Sequence, residues 1–247
     1  MAGVLARIGE LTGAGAVYML LLDPDAKTPT ESAALAASAE ESGVDVLLVG
    51  GSFELRGRCQ ETVTEVRKAS SLPVAIFPGN SGFVADGADA VLFLSLLSGR
   101  NPQYLIGEHV LAAPSVKRLG LEAIPTAYML VESGRTTSVQ FMSGTTPLPR
   151  DKPDIAMAHA LAGQYLGMKI AFFDAGSGAG EPVPGEIISA VSGYVDIPVM
   201  VGGGIRTPDQ ARGLVAAGAK ILVTGDVIER TGDATLLREF ASAVHGS

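Results

Sequence analysis

"KIAFFDAGSGAG", residues 169–180, runs from a lysine through four apolar residues to an acid, then into a tract of only Gly, Ala and Ser. An apolar run without alternation suits a strand buried on both faces in a parallel sheet. Bare backbone directly after it lets a ligand approach the C-terminal end of that strand. Seven other runs of strand length surround this one: "VYMLLL" (17–22), "DVLLV" (45–49), "PVAIF" (73–77), "AVLFL" (90–94), "EAIPTAYMLV" (122–131), "IPVMV" (197–201) and "KILVT" (220–224). Between them lie helical patterns such as "PTESAALAASAEESG", "PDIAMAHALAGQYLG" and "TPDQARGLVAAGA", which start at Thr, Asp or Pro and end at Gly. Eight such units in 247 residues predict an α/β chain folded as a modified (β/α)8 TIM barrel, a single domain over 1–247. Only "PGNSGFVADGAD" (78–89) separates the third strand from the fourth, so the third helix is expected to be missing or replaced. Residues 132–152 are polar and turn-rich, and fall where a barrel carries its active-site loops.

Composition excludes several classes. A net charge of −8 with scattered Lys and Arg offers no basic stripe for nucleic acid. The single cysteine, Cys59, excludes an internal disulfide, and no apolar run reaches the length of a membrane span. Residues 1–15 lack a signal-peptide pattern, so the chain reads as cytoplasmic.

Barrel chemistry lies at the C-terminal strand ends, and glycine gathers there: "GGS" after the second strand, "DAGSGAG" after the sixth, "GGGIRTP" after the seventh and "TGD" after the eighth. Backbone N–H groups freed of side chains close on phosphate oxygens, which makes this rim a phosphate site. A tight turn explains any one cluster equally well. The first strand ends in Asp23, within "LLLDPD", and a carboxylate at that depth needs a partner. Mg²⁺ is one, with the Ser52 hydroxyl of "VGGS" as a further oxygen ligand; a helix cap or a salt bridge to Lys27 is the other reading. Asp25 is the better placed of the two acids to cap the following helix.

"LLLDPD", "VGGS", "LFLSLLSGRNPQYLIGEHVLAAP", "PLPRDKPDIA", "FFDAGSGA" and "VGGGIRTPDQA" together resemble the geranylgeranylglyceryl phosphate synthase family of prenyltransferases, in order and over nearly the whole chain. The resemblance implies Mg²⁺-dependent ether-bond formation between sn-glycerol 1-phosphate and geranylgeranyl diphosphate, the first ether bond of archaeal membrane lipids. It implies metal binding at Asp23 and Ser52. It places glycerol phosphate on Phe172, Phe173, Asp174, Ala175, Gly176, Ser177 and Gly178, on Gly203 and Gly204, and on Gly225 and Asp226. The chain departs from the family pattern in three places: Phe172 stands for Tyr, Asp174 for Glu and Asp226 for Asn. Asp174 is the candidate base for the attacking glycerol hydroxyl. His109, His159 and His245 are read as structural or solvated.

The prenyl chain needs an apolar groove, expected beside strands three to five where the missing helix opens the wall. Phe93, Tyr104 and Tyr128 are its candidates, with Phe77, Leu96 and Met129. The family also implies a homo-oligomer, dimer or hexamer, with at most peripheral membrane contact. Two rivals stand: a family member that binds lipid precursors without turnover, and another phosphate-binding TIM-barrel enzyme.

Overall fold

The computed structural model describes residues 3–246. Its strands are β1 (Val17–Leu22), β2 (Val46–Gly50), β3 (Val74–Phe77), β4 (Ala90–Leu96), β5 (Glu122–Leu130), β6 (Ile170–Asp174), β7 (Val199–Gly202) and β8 (Ile221–Thr224). They pair in parallel in chain order and β8 closes on β1, so the barrel is complete. The helices are α1 (Val4–Ala14), α2 (Pro29–Glu41), α3 (Cys59–Ala69), α4 (Glu108–Leu119), α5 (Ser138–Ser143), α6 (Pro153–Tyr165), α7 (Gly185–Ser192), α8 (Pro208–Ala216), α9 (Asp226–Thr231) and α10 (Ala234–His245). A π-helical turn, Gln103–Gly107, leads into α4.

No helix lies between β3 and β4; residues 78–89 cross as turns and bends. The polar tract 132–152 is not wholly loop, since it carries the six-residue α5. Among the described residues no helix is long and apolar enough to cross a membrane.

Side-chain alternation divides the core in two. Met19, Leu48, Ala75, Leu92, Phe172 and Met200 fill the barrel, and Val4 and Ile8 of α1 join the same cluster. Tyr18, Leu47, Ile76, Met129, Phe173 and Leu222 point the other way into the layer under the helices. A residue's parity along its strand therefore decides whether it can reach the barrel mouth.

Helix starts follow local chemistry. Thr28, not Asp25, caps α2: its hydroxyl accepts from the Glu31 N–H and the Glu31 carboxylate accepts from the Thr28 N–H. Asp25 instead accepts from the backbone N–H groups of Leu55 and Arg56 at 2.5 and 3.0 Å, and so ties the β1 loop to the β2 loop. Thr207 makes the same capping box with Gln210 at α8.

At the far end of the chain, His245 Nε2 lies 2.9 Å from the Asp45 carboxylate, which also accepts from the Tyr18 N–H. That hydrogen bond raises the His245 pKa against the opposing effect of burial. A raised imidazole stabilises the fold below its unfolded value and loses that contribution as pH rises through the folded value. The melting temperature should therefore fall between pH 6 and pH 8 by an increment that His245→Gln removes. Parallel melting curves of the two proteins at both pH values check this.

Candidate active site

Two clefts open at the C-terminal mouth of the barrel. The first occupies about 810 Å³ and collects the ends of β1, β6, β7 and β8. The second, about 730 Å³, lies beside β3, β4 and β5. Ser52 and Phe77 line both, so the clefts meet at the ends of β2 and β3.

The first cleft has the character of an anion nest. Ser177, Gly178, Gly203, Gly204 and Gly225 line it, and among the described residues no acceptor pairs with their backbone N–H groups. Glycine is required at Gly203, where φ is +76° and a Cβ would sit 2.4 Å from Asp174 Oδ1 and 2.6 Å from the Gly176 nitrogen. The β6 and β7 loops thus touch backbone to backbone.

Asp174 is buried at the end of β6. Its Oδ1 accepts from the Gly176 N–H at 2.8 Å and its Oδ2 from the Tyr128 hydroxyl at 2.6 Å. Burial pushes the Asp174 pKa above the usual carboxylate range, while the two hydrogen bonds pull it back. The Tyr128 phenol rises well above its ordinary value, by burial and then by the Asp174 charge, so it stays protonated as the donor.

The site residues named from the sequence divide by parity. Phe172, Asp174, Ser177 and Gly178 face the first cleft. Phe173 and Ala175 do not: both are fully buried in the outer layer. Gly176 does not line the cleft either, and its N–H is used by Asp174. Asp226 lines the cleft, yet its carboxylate pairs with Arg230 at 3.0 Å one helical turn on, which reduces its charge toward an incoming anion. Phe172, where the resemblance expects Tyr, packs its ring edge-on to Phe77 at 5.9 Å and tilted on Tyr128 at 5.2 Å.

Asp23 is shaped by its own turn. Its Oδ1 accepts from the Asp25 N–H at 2.8 Å, and its backbone oxygen accepts from the Ala26 N–H at 3.1 Å. Oδ2 faces β2, since a Cβ on Gly51 would lie 3.3 Å from it, next to Ser52. No ion pair forms with Lys27. Glu229 of α9 was not foreseen. It accepts from the Asp23 N–H at 2.6 Å inside the same cleft. Burial pushes Glu229 up to about 7, with the Asp23 and Asp226 charges adding to the rise. Burial likewise raises Asp23, helped by Asp25 and Glu54 and opposed by its hydrogen bonds.

The second cleft is apolar in most of its lining. Phe77, Phe93, Leu96, Tyr104 and Tyr128 line it, whereas Met129 has outward parity and is buried under the helices. Pro78, Gly79 and Val84 supply a wall from the segment that replaces the third helix. Tyr104 also donates to the Met142 carbonyl at 3.3 Å, joining α5 to this wall. His109 lines the cleft with its ring 4.5 Å from Phe93, and burial lowers its pKa. His159 bonds the Ile155 carbonyl within its own helix. The first cleft therefore has no histidine among its described lining residues.

The sequence pattern of the PcrB family matches residues 11–244. The chain is 46% identical over 230 residues to the geranylgeranylglyceryl phosphate synthase of Chitinophaga pinensis, spanning 93% of this chain and 90% of that protein. It is 47% identical over 224 residues to the synthase of the same name from Thermococcus kodakarensis, spanning 90% and 88%. The crystal structure of (S)-3-O-geranylgeranylglyceryl phosphate synthase from Thermoplasma acidophilum, in complex with its substrate sn-glycerol-1-phosphate, matches all of both chains with a TM-score of 0.95 at 37% identity. The chain belongs to the PcrB family, the family of the geranylgeranylglyceryl phosphate synthases, and is with them an enzyme of the prenyltransferase class.

Proposed function

We propose that the protein joins sn-glycerol 1-phosphate to geranylgeranyl diphosphate through an ether bond, with release of diphosphate. The observation that carries this reading is the joining of an unpaired N–H nest to an apolar cleft at Ser52 and Phe77. One cleft suits a small phosphorylated alcohol and the other suits a long hydrocarbon. Their shared wall is where the reacting atoms would meet.

In this reading the N–H groups of Ser177, Gly178, Gly203, Gly204 and Gly225 hold the glycerol phosphate. The C3 hydroxyl oxygen attacks the allylic carbon, the carbon–oxygen bond to diphosphate breaks, and the hydroxyl proton passes to Asp174. Tyr128 and Gly176 fix that carboxylate in place. Its raised pKa favours taking the proton. The rings of Phe77, Phe172 and Tyr128 line the junction, where their faces favour positive charge on the allylic carbon.

Mg²⁺ fits the residues present. Asp23 Oδ2 and the Ser52 hydroxyl are hard oxygen donors at neighbouring strand ends. Asp23, Asp174, Asp226 and Glu229 line a cleft whose described lining contains one cationic side chain, so anionic substrates need a further positive charge there. When bound, the ion would supply electrostatic stabilisation of the departing diphosphate. Turnover is expected to vanish in EDTA and to return with Mg²⁺, while calorimetric binding of sn-glycerol 1-phosphate stays unchanged. Full turnover in EDTA would remove the metal from the account.

A further inference from the structure

The motif "GGGIRTP" (202–208) contributes more than glycines. We infer that Arg206 is a second, charged element of the phosphate site, closing over the nest and selecting a phosphorylated alcohol over a neutral one. This rests on the glycerol phosphate reading above.

Three observations meet at this side chain. Arg206, itself exposed, is the one Lys or Arg among the described residues that line the first cleft, whose lining also holds four carboxylate residues. No carboxylate of the described residues forms an ion pair with it, whereas Arg150, Arg212 and Arg230 are each paired with an acid. Its Nη2 donates to the Ala179 carbonyl at 2.8 Å, directly after the Ser177 and Gly178 N–H groups. The guanidinium therefore spans from the β7 loop to the β6 loop, across two of the three strand ends that supply the nest.

The remaining donors of a guanidinium anchored through one nitrogen are available to a bound anion. Arg presents five N–H donors in a rigid fork that matches phosphate oxygens. Nest N–H groups carry only partial charge, so a phosphate dianion in an acidic cleft gains most from the full charge of Arg206. The backbone N–H of Arg206 is already taken by the Gln210 side chain at 2.7 Å, so any contact to phosphate comes from the guanidinium. Arg135 approaches the same loop near Gly178 but does not line the cleft, which makes it the natural comparison.

The test measures sn-glycerol 1-phosphate binding by calorimetry, and KM for each substrate, in wild type, Arg206→Gln, Arg206→Lys and Arg135→Gln. Arg206→Gln should weaken glycerol phosphate binding and raise its KM by roughly tenfold or more, the scale of a lost charge-assisted hydrogen bond, with KM for the prenyl diphosphate unchanged. Arg206→Lys should recover part of the loss, Arg135→Gln should behave as wild type, and added salt should weaken the wild type more than Arg206→Gln. Binding within twofold of wild type in Arg206→Gln would overturn the inference. So would an equal rise in both KM values with a lowered melting temperature, which marks Arg206 as a loop tie only. If wild type itself fails to bind sn-glycerol 1-phosphate, the underlying substrate reading fails instead.

Discussion

Asp23→Ala is expected to lower kcat by roughly 10²–10³-fold while leaving sn-glycerol 1-phosphate binding within about twofold, the scale of losing one preorganised electrostatic contact to a leaving group. The split follows from geometry. Asp23 sits at the end of β1 with Oδ2 turned toward Gly51 and Ser52, whereas the nest is built from the β6, β7 and β8 ends. The substitution also takes a negative charge from beside Glu229, whose pKa of about 7 records burial and charge repulsion in that corner. Asp23→Ala also removes the acceptor of the Asp25 N–H, so its melting curve is read beside its rate to separate lost chemistry from lost folding. Asp23→Asn keeps an acceptor for the Asp25 N–H, and so keeps the turn, but removes the charge. It should be nearly as inactive as Asp23→Ala. Steady-state rates with direct binding data check this; an active Asp23→Asn would show that the turn rather than the charge is needed.

Asp174→Asn is expected to cost roughly 10²–10⁴-fold in kcat, the usual range for losing a positioned general base. Asparagine is isosteric and its amide oxygen still accepts from Tyr128 or Gly176, so the buried site stays packed. The pH dependence distinguishes this role from binding. A base works in its deprotonated form, and burial holds the Asp174 pKa above the ordinary carboxylate value. The wild-type rate should therefore rise with pH through a limb lying above that ordinary value, and Asp174→Asn should lack the limb. Tyr128→Phe removes one of the two hydrogen bonds that pull the Asp174 pKa down, so the limb should move to higher pH. Asp174→Glu, which restores the residue expected from the family resemblance, meets a crowded position. The Gly203 and Gly176 backbone already closes on Oδ1, so the extra methylene has to displace the carboxylate.

How much of this was readable in the sequence follows from the range of each interaction. The eight strands were legible because barrel strands are apolar on both faces, and the glycine-rich ends of β2, β6, β7 and β8 reach the same rim. The missing helix was legible from length alone. Asp23, Ser52, Asp174, Gly178 and Gly203 were placed at the mouth for the same reason, being strand-end residues. The segment from Phe172 to Gly178 is contiguous in the sequence, but the two-residue period of a strand turns the Phe173 and Ala175 side chains away from the cleft. The T-x-x-E signature at Thr28 and Glu31 marks the α2 cap, and Asp25 lies too far upstream to serve. Two features had no local signal. The Tyr128–Asp174 hydrogen bond joins residues 46 apart, and it depends on the β5–β6 register that aligns Tyr128 with Phe172. Glu229 meets Asp23 across 206 residues, and an acid in the short helix after β8 looks like ordinary solvated charge until the barrel closes.

Product formation tests the central claim most directly. Wild-type protein incubated with labelled geranylgeranyl diphosphate, sn-glycerol 1-phosphate and Mg²⁺ should yield one prenyl glyceryl ether phosphate per diphosphate released, identified by mass spectrometry. Binding of both substrates without an ether product would contradict the account and leave a lipid-precursor-binding protein built on the same barrel.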